Sequence, residues 1–430
     1  MKNTFLILVL VLLVNPLFSQ KLSKKEEAIL KEVEKLDQES KDFLERVVNI
    51  NSGTLNFDGV TENGRIFGEA FREIGFETNW YDLRESVNRA GHLFAERTGK
   101  KGKRLLLIGH LDTVFDRASP FRKFEIIDDT YAKAPGGNDM KGGNVVILYA
   151  LKALQNAGYL DNTQIIVALH GDEESAGKPI SISRKHIIDA AKRSDIGLGF
   201  ETASGFDYAT VARRGSSGWS LEVEGKQAHS SGIFSENTGA GAVFESARIL
   251  NEFYEQLSDI ELLTFNPGLI GGGTRAEYNS ATSTIDVYGK TNIVASKVIV
   301  KGGLRFISEE QKEMAREKMR AIVSENNLPK TSAKITFNDS YPAMPPTEGN
   351  MELLKQLNQL SLDMQFGEVK AYDPGRRGAA DISFVAEYID GLDGLGTMGS
   401  GAHSPNETVD LSTMNDLIKR TALFIYRLTR

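Results

Sequence analysis

Three short apolar runs in this chain each stop at acids or histidine, and helical stretches lie between them. Leu105–Ile108 leads through Gly109 into His110 and Asp112. Ile165–Leu169 leads through His170 and Gly171 into Asp172, Glu173 and Glu174, and Ile196–Phe200 leads into Glu201. A helical pattern fills Val145–Leu154, and another surrounds His186–Arg193. Short apolar runs alternating with helices predict an α/β layer around a largely parallel sheet. In such a sheet sites gather outside the carboxyl ends of the strands, so residues distant in sequence can meet there. Three adjacent carboxylates repel one another, and either solvent or a bound cation must offset their charge.

Two glycine-rich loops add further ligand types. "APGGNDMKGGN" sets Asp139 between glycine pairs just before a helix, where backbone without Cβ atoms packs closely. The same turn could cradle a phosphate, although Asp139 at its centre would repel one. "GLGTMGSGAHSPNE" presents His403. Positions two apart on an extended segment face the same way, so Asp112 can stand behind His110 and hold its imidazole. The chain has no cysteine, which removes thiolate ligands and nucleophiles along with any disulfide framework. Imidazole and carboxylate donors at strand ends and glycine loops suit divalent zinc.

At 430 residues, 40% hydrophobic and 25% charged, the chain is globular and long enough for two domains. Its formal net charge of -7 argues against nucleic acid or an anionic membrane surface as partner. The start, "MKNTFLILVLVLLVNPLFSQ", places Lys2 before an apolar run from Phe5 to Val14, with small Ser19 as a cleavage point. Residues 1–19 read as a signal peptide, the apolar core being shorter than the about 20 residues of a membrane span. Export to the periplasm or medium is expected, with no membrane contact beyond the signal.

Residues 20–214 carry the strand–helix alternation, opening with helical patterns over Leu22–Ile50 and Val60–Ile74. The texture changes over 215–340. There "GWSLEVEGKQAHSSG" alternates as a strand, Gly239–Leu257 and Glu309–Glu325 read as helices, and strands are expected near Leu262–Ile270, Ser283–Tyr288, Val298–Ile307 and "KITFND". The proline-rich "SYPAMPPTEG" connects to 341–430, which returns to α/β texture. The expected fold is one larger α/β domain in two pieces, 20–214 and 341–430, interrupted by an inserted α+β domain.

The ordered set "GHLDTV", "GGNDMKGG", "GDEES", "FETA", "GKQAHSSG" and "GAHSPNE" resembles the dinuclear zinc peptidase family of glutamate carboxypeptidase, aminoacylase and succinyl-diaminopimelate desuccinylase. The likeness covers nearly the whole mature chain. It implies a zinc-peptidase catalytic domain, an inserted lid or dimerisation domain, and two zinc ions per subunit. By this resemblance Asp139 bridges the ions, His110 and Glu201 complete one ligand set, and Glu174 and His403 complete the other. Glu173 is then the general base, with Asp112 behind His110. His229 of the inserted domain reaches the partner subunit's active site in a homodimer. A cis peptide between Asp139 and Met140 is implied as well. The adjacent acids thus take different jobs: a metal keeps Glu174 ionised, Glu173 accepts a proton, and Asp172 orients the turn.

Family members commonly carry asparagine followed shortly by proline, then Asp-x-Arg on the next strand. Here Asn292 precedes Ile293, Val294 and Ala295, and Arg305 follows Gly303 and Leu304. Asn292 and Arg305 still resemble the family's substrate-binding pair. Arg275–Gly289 is longer than the usual connection after "GGGT" and reads as an extended hairpin at the dimer edge or cleft. "PGRRGAAD" supplies Arg376 and Arg377, each either a ligand for a substrate carboxylate or a surface arginine. The expected activity is a zinc carboxypeptidase that cleaves the amide before a C-terminal amino acid such as glutamate. An N-acyl-amino-acid amidohydrolase or dipeptidase would use the same machinery, so the substrate is a small peptide or N-acyl amino acid. A solute-binding protein has no need of an off-metal base at Glu173. A two-metal phosphoesterase shares the ligand types, but the His229 segment and Arg305 suit an amide bearing a carboxylate better.

Overall fold

The computed structural model describes residues 20–430; the signal peptide read at 1–19 lies outside the described residues. Two helices open it, Lys24–Lys35 and Asp37–Val48. The apolar pattern runs on as if they were one. The Leu36 N–H instead turns back to the Val33 carbonyl at 2.9 Å, and this tightened last turn redirects the chain. Ile29 and Val33 on one helix and Leu44 and Val47 on the next then enter the same core.

Six strands form the central sheet in the order Glu77–Leu83, Arg89–Arg97, Thr163–His170, Lys101–His110, Ile196–Gly199, Asp390–Leu392. Arg89–Arg97 pairs antiparallel with both neighbours, and the other pairings are parallel. The three strands that lead into acids and histidine are adjacent. His110 lies opposite His170 and Ile108 opposite Gly199, a register that levels their carboxyl ends. Leu105–Leu107 and Ile165–Leu169 are buried, as expected for parallel strands covered on both faces. Helix Gly142–Asn156 is enclosed on nearly every side, because Lys24–Lys35, Asp37–Val48 and Leu411–Leu428 all pack on it.

Residues 215–339 build a separate antiparallel sheet in the order Thr264–Gly273, Lys297–Phe306, Gly215–Gly225, Thr331–Asp339. Along Gly215–Gly225 the buried Trp219, Leu221 and Val223 alternate with outward Glu222 and Glu224, so one face is covered and one is solvated. Helices Gly241–Leu257 and Glu309–Ser324 pack against the sheet and each other, enclosing Ile249, Phe253 and Met319 with Trp219. Arg275–Asn279 and Thr284–Tyr288 pair as a hairpin. The chain leaves the larger body and returns at one place: the Ser216 N–H donates to the Tyr341 carbonyl at 2.8 Å, and Arg213 and Met344 exchange two backbone hydrogen bonds. Helix Glu348–Asp363, strand Asp390–Leu392 and helix Leu411–Leu428 then complete the body. No helix among the described residues is long and apolar enough to cross a membrane.

Candidate metal centre

His110 ends its strand with its side chain buried, and the Asn144 amide donates to its carbonyl at 2.6 Å. Asp139 sits in the loop between Gly136, at φ 66°, and the helix that begins at Gly142; its peptide to Met140 is cis. That helix start presses against the strand leading to Glu201: a Cβ at Gly143 would stand 2.1 Å from the Phe200 carbonyl oxygen. Only glycine permits this approach. One Asp139 carboxylate oxygen lies 3.2 Å from His110 Nε2, and the other lies 3.1 Å from His403 Nε2. Glu201 stands 3.7 Å from the same His110 nitrogen, and Glu174 stands 3.2 Å from the same His403 nitrogen. Two groups result, His110–Asp139–Glu201 and Asp139–Glu174–His403, each with its ligand atoms within 4.8 Å of one another. Asp139 belongs to both, and Glu173 to neither.

The charges of this cluster are ill matched to its burial. Burial pushes the Glu201 carboxyl up to about 8, with the Asp139 charge acting the same way. Burial also raises Glu173 well above the carboxylate range, against His110 and with Glu201, Asp381 and Glu174. Glu174 is raised too, by burial first. Hydrogen bonds to Asp139 and Glu174 push His403 up to about 11. His110 rises although burial opposes it, because its contacts with Asp112 and Asp139 prevail. Among the ligand acids Asp139 alone is held low, its burial overcome by His110 and His403. Glu173, Glu174 and Glu201 and both imidazoles shift upward; the raised groups share one demand, for positive charge in a place short of water. Divalent cations meet that demand, and imidazole nitrogens with carboxylate oxygens are a donor set that fits zinc.

Buried polar groups hold the cluster in shape. The Asp112 carboxylate accepts the Thr54 hydroxyl at 2.6 Å and the backbone N–H groups of Glu173 and Glu174 at 3.0 and 3.1 Å. For His110 Nδ1, the Asp112 carbonyl oxygen at 3.0 Å is the nearer partner and the carboxylate lies at 3.5 Å. The backbone of Asp112 therefore orients the imidazole while its carboxylate steadies the acid pair. Asp172 orients the turn through Gly177 N–H at 2.8 Å, Ser183 at 2.7 Å and Arg184 at 2.5 Å. Three contributors lie outside the sequence reading. Glu407 accepts the N–H groups of Gly136, Asn138 and Asp139; its only signal was its place at the end of "GAHSPNE". Asp393, bound to Arg213 at 2.6 Å, accepts the Glu201 N–H at 3.4 Å. The Tyr341 hydroxyl donates to the Glu173 carbonyl at 2.7 Å.

The family model described as Peptidase family M20/M25/M40 matches residues 106–427. The chain belongs to this family. Carboxypeptidase G2 of Pseudomonas sp. (strain RS-16) is 26% identical over 380 residues, covering 86% of this chain and 85% of that protein. Succinyl-diaminopimelate desuccinylase of Gluconobacter oxydans (strain 621H) is 24% identical, over 80% of this chain and 87% of its own. In fold, the crystal structure of aminopeptidase PepT from Bacillus cereus ATCC 10987 superposes with a TM-score of 0.73 at 18% identity, covering 92% and 99% of the two chains. The protein is thus an M20 metallopeptidase with carboxypeptidase-like relatives.

The remaining candidate residues of this M20 chain fall in two places. His229 and Asn292 lie exposed on the inserted sheet's connections, joined by a hydrogen bond from Ser230 N–H to the Asn292 carbonyl at 2.9 Å. Neither belongs to a metal group. The arginines gather around the 373–378 loop instead. Arg377 donates to the Thr202 carbonyl and to Ser204, both at 2.9 Å, which sets it next to Glu201. Arg376 and Arg377 lie over the Tyr372 ring at 5.5 and 4.9 Å. Arg214 donates to the Gly375 carbonyl at 2.9 Å, and burial together with Arg214 lowers the pKa of Arg305. Arg214 also donates to the Thr264 hydroxyl at 3.1 Å, and Thr264 lies opposite Arg305 on the neighbouring strand.

Proposed function

We propose that this M20 enzyme is an exported, zinc-dependent carboxypeptidase that hydrolyses the amide before a C-terminal amino acid, with glutamate favoured. The observation that carries the reading is Asp139 shared between two ligand groups, with Glu173 half-buried, within electrostatic reach of His110, Glu201 and Glu174, and in neither group. His110, Asp139 and Glu201 would hold one zinc ion, and Asp139, Glu174 and His403 the other. Bound there, the pair supplies Lewis acidity that lowers the pKa of water and polarises the scissile carbonyl. Glu173 takes the proton of the attacking water on its carboxylate and passes it to the leaving nitrogen. Asp112 holds Glu173 for this task by its backbone N–H. Arg305 grips the free carboxylate through paired hydrogen bonds, and Arg376 or Arg377 receives an acidic side chain, whereas Asn292 lies with His229 beyond the other end of strand Lys297–Phe306. The likeness to carboxypeptidase G2 supports this orientation of the substrate, and the 1–19 segment supports export.

A homodimer belongs to the same proposal. On helix Gly241–Leu257, Val243, Phe244 and Tyr254 are half exposed or more, and the exposed Phe234 ring packs 5.4 Å from Phe244. An apolar surface of this kind supports a second copy seated on it. His229, a few residues before Phe234, would then donate a hydrogen bond to the oxyanion developing in the partner's site. Mixing Glu173→Ala with His229→Ala chains should restore activity in heterodimers, and proven exchange without recovery would remove His229 from the shared site.

The deciding experiment is a hydrolysis screen of dipeptides and N-acyl amino acids with zinc-loaded protein, each offered as free acid and as C-terminal amide. The free acids should be turned over and the amides poorly, with Arg305→Lys raising KM for the acids. Equal turnover of acid and amide would move the assignment to another amidohydrolase.

A further inference from the structure

A cavity of about 560 Å³ opens beside Glu174. Its wall is built from two loops tied together: the Thr54 N–H donates to the Thr113 carbonyl at 3.2 Å, and the Thr113 N–H to the Ser52 carbonyl at 3.0 Å. The Thr54 hydroxyl binds Asp112, so the same contact that steadies the acid pair also fixes the cavity wall. Leu55, 67% exposed, and Val114, 41% exposed, present apolar side chains to it. The charged residues of its lining are already engaged. Arg117 binds Asn56 and Asp58, both at 2.7 Å. Asp116 accepts the Ala118 N–H at 2.8 Å.

We propose that this cavity receives the group on the acyl side of the scissile amide and selects an apolar one, aromatic or branched aliphatic. The inference rests on the hydrolase reading above and adds the substrate's other half. Its orientation follows from which side of Asp139 each feature occupies. Arg377, on the carbonyl of Thr202, lies with Glu201, whereas the cavity adjoins Glu174, the partner of His403. A substrate whose carboxylate rests among the arginines and whose amide crosses the shared aspartate extends its acyl group into the cavity. The volume falls within the range of small-molecule sites, roughly 300–1,000 Å³. Leu55 and Val114 offer apolar contact and no hydrogen bond to a charged acyl group, and Arg117 is held in its pair with Asp58 and Asn56.

The test uses the metal-loaded full chain and the acetyl, phenylacetyl and succinyl derivatives of one amino acid. Phenylacetyl should exceed acetyl in kcat/KM by about tenfold or more, mainly through KM, with succinyl the poorest. Leu55→Asp and Val114→Asp, at exposed positions, should each narrow the phenylacetyl-to-acetyl ratio toward unity with metal content unchanged. A preference for succinyl, or a ratio that survives both substitutions, would overturn the assignment. Calorimetric titration of the phenylacetyl and acetyl derivatives makes the same comparison without turnover. Tighter phenylacetyl binding that Leu55→Asp abolishes, in a protein that hydrolyses neither, would defeat the hydrolase reading and leave the cavity's role standing. Hydrolysis of all three without discrimination would do the reverse.

Discussion

The carboxylate of Glu407 accepts the backbone N–H of Asp139 at 3.0 Å. It also takes those of Asn138 at 3.0 Å and Gly136 at 3.1 Å, so one buried acid fixes the loop that presents the shared aspartate. Burial pushes Glu407 up to about 7, although those three N–H groups pull it back. Glu407→Ala leaves all three donors unpaired and frees the loop. Metal retention should fall about 10–100-fold, the usual effect of removing a ligand's supporting partner. Competition with a chromophoric chelator reads it, and unchanged retention would show that the loop holds itself.

Glu173 and Glu174 are neighbours with opposite expected phenotypes. Glu173→Gln should keep two metal ions per chain and lose kcat on the order of 10²-fold or more, the contribution of a general base. Glu174→Ala should lose metal first and activity as a consequence. Metal analysis beside kcat separates them, and reversed phenotypes would exchange the two roles.

Tyr341 donates to the Glu173 carbonyl at 2.7 Å and receives Arg184 at 3.0 Å. Tyr341→Phe removes that donor and little volume. The loss of one neutral hydrogen bond, on the order of 0.5–1.5 kcal/mol, should appear as about a 2–10-fold fall in kcat, with KM and metal content steady. A change confined to KM would place Tyr341 with substrate binding instead.

Glu245 lies buried on helix Gly241–Leu257, away from the metal groups. Burial would raise it, but hydrogen bonds from Arg248 at 2.7 Å, Leu328 N–H at 2.9 Å and Asn327 at 2.8 Å prevail and hold its pKa below the usual value. A carboxyl depressed in the folded state stabilises fully above its unfolded pKa of about 4.3 and loses that contribution as pH falls through the folded value. Glu245→Gln should therefore destabilise the chain at pH 7 by on the order of 1–3 kcal/mol, and the gap should close below about pH 4. Urea unfolding of metal-free wild type and variant at both pH values tests this; a gap independent of pH would mean that charge is not its source.

That His110, Asp139, Glu174, Glu201 and His403 would come together was legible because each stands at a strand end or in a glycine loop, where one residue's type and place already carry its geometry. His110 and Glu201 needed only a parallel sheet to converge. Glu407 was not legible in role: it acts on backbone N–H groups, which every residue owns and no pattern displays. Arg184 meets Asp381 at 2.8 Å across 197 residues of sequence, and no local spacing announces such a pair. The turn at Leu36 was hidden for the opposite reason, since the apolar period passes through it unbroken. Arg305 was found by likeness, yet its neighbour Arg214 emerged only from the packing of the inserted strands against the 373–378 loop.

The body parts with the chain at Ser216 and recovers it at Tyr341, and a 2.8 Å hydrogen bond joins those two residues. To the larger body, everything between them is a loop whose ends already touch. Lengthening, shortening or replacing such a loop changes closure entropy only slowly with length, and chain ends this close make the stretch exchangeable as one piece. Asp139, Glu173 and Glu174 keep their frame whatever occupies that place. The candidate ligand groups and Glu173 can thus stay fixed in a lineage while the inserted piece, which carries His229 and Arg305, alters substrate grip and pairing.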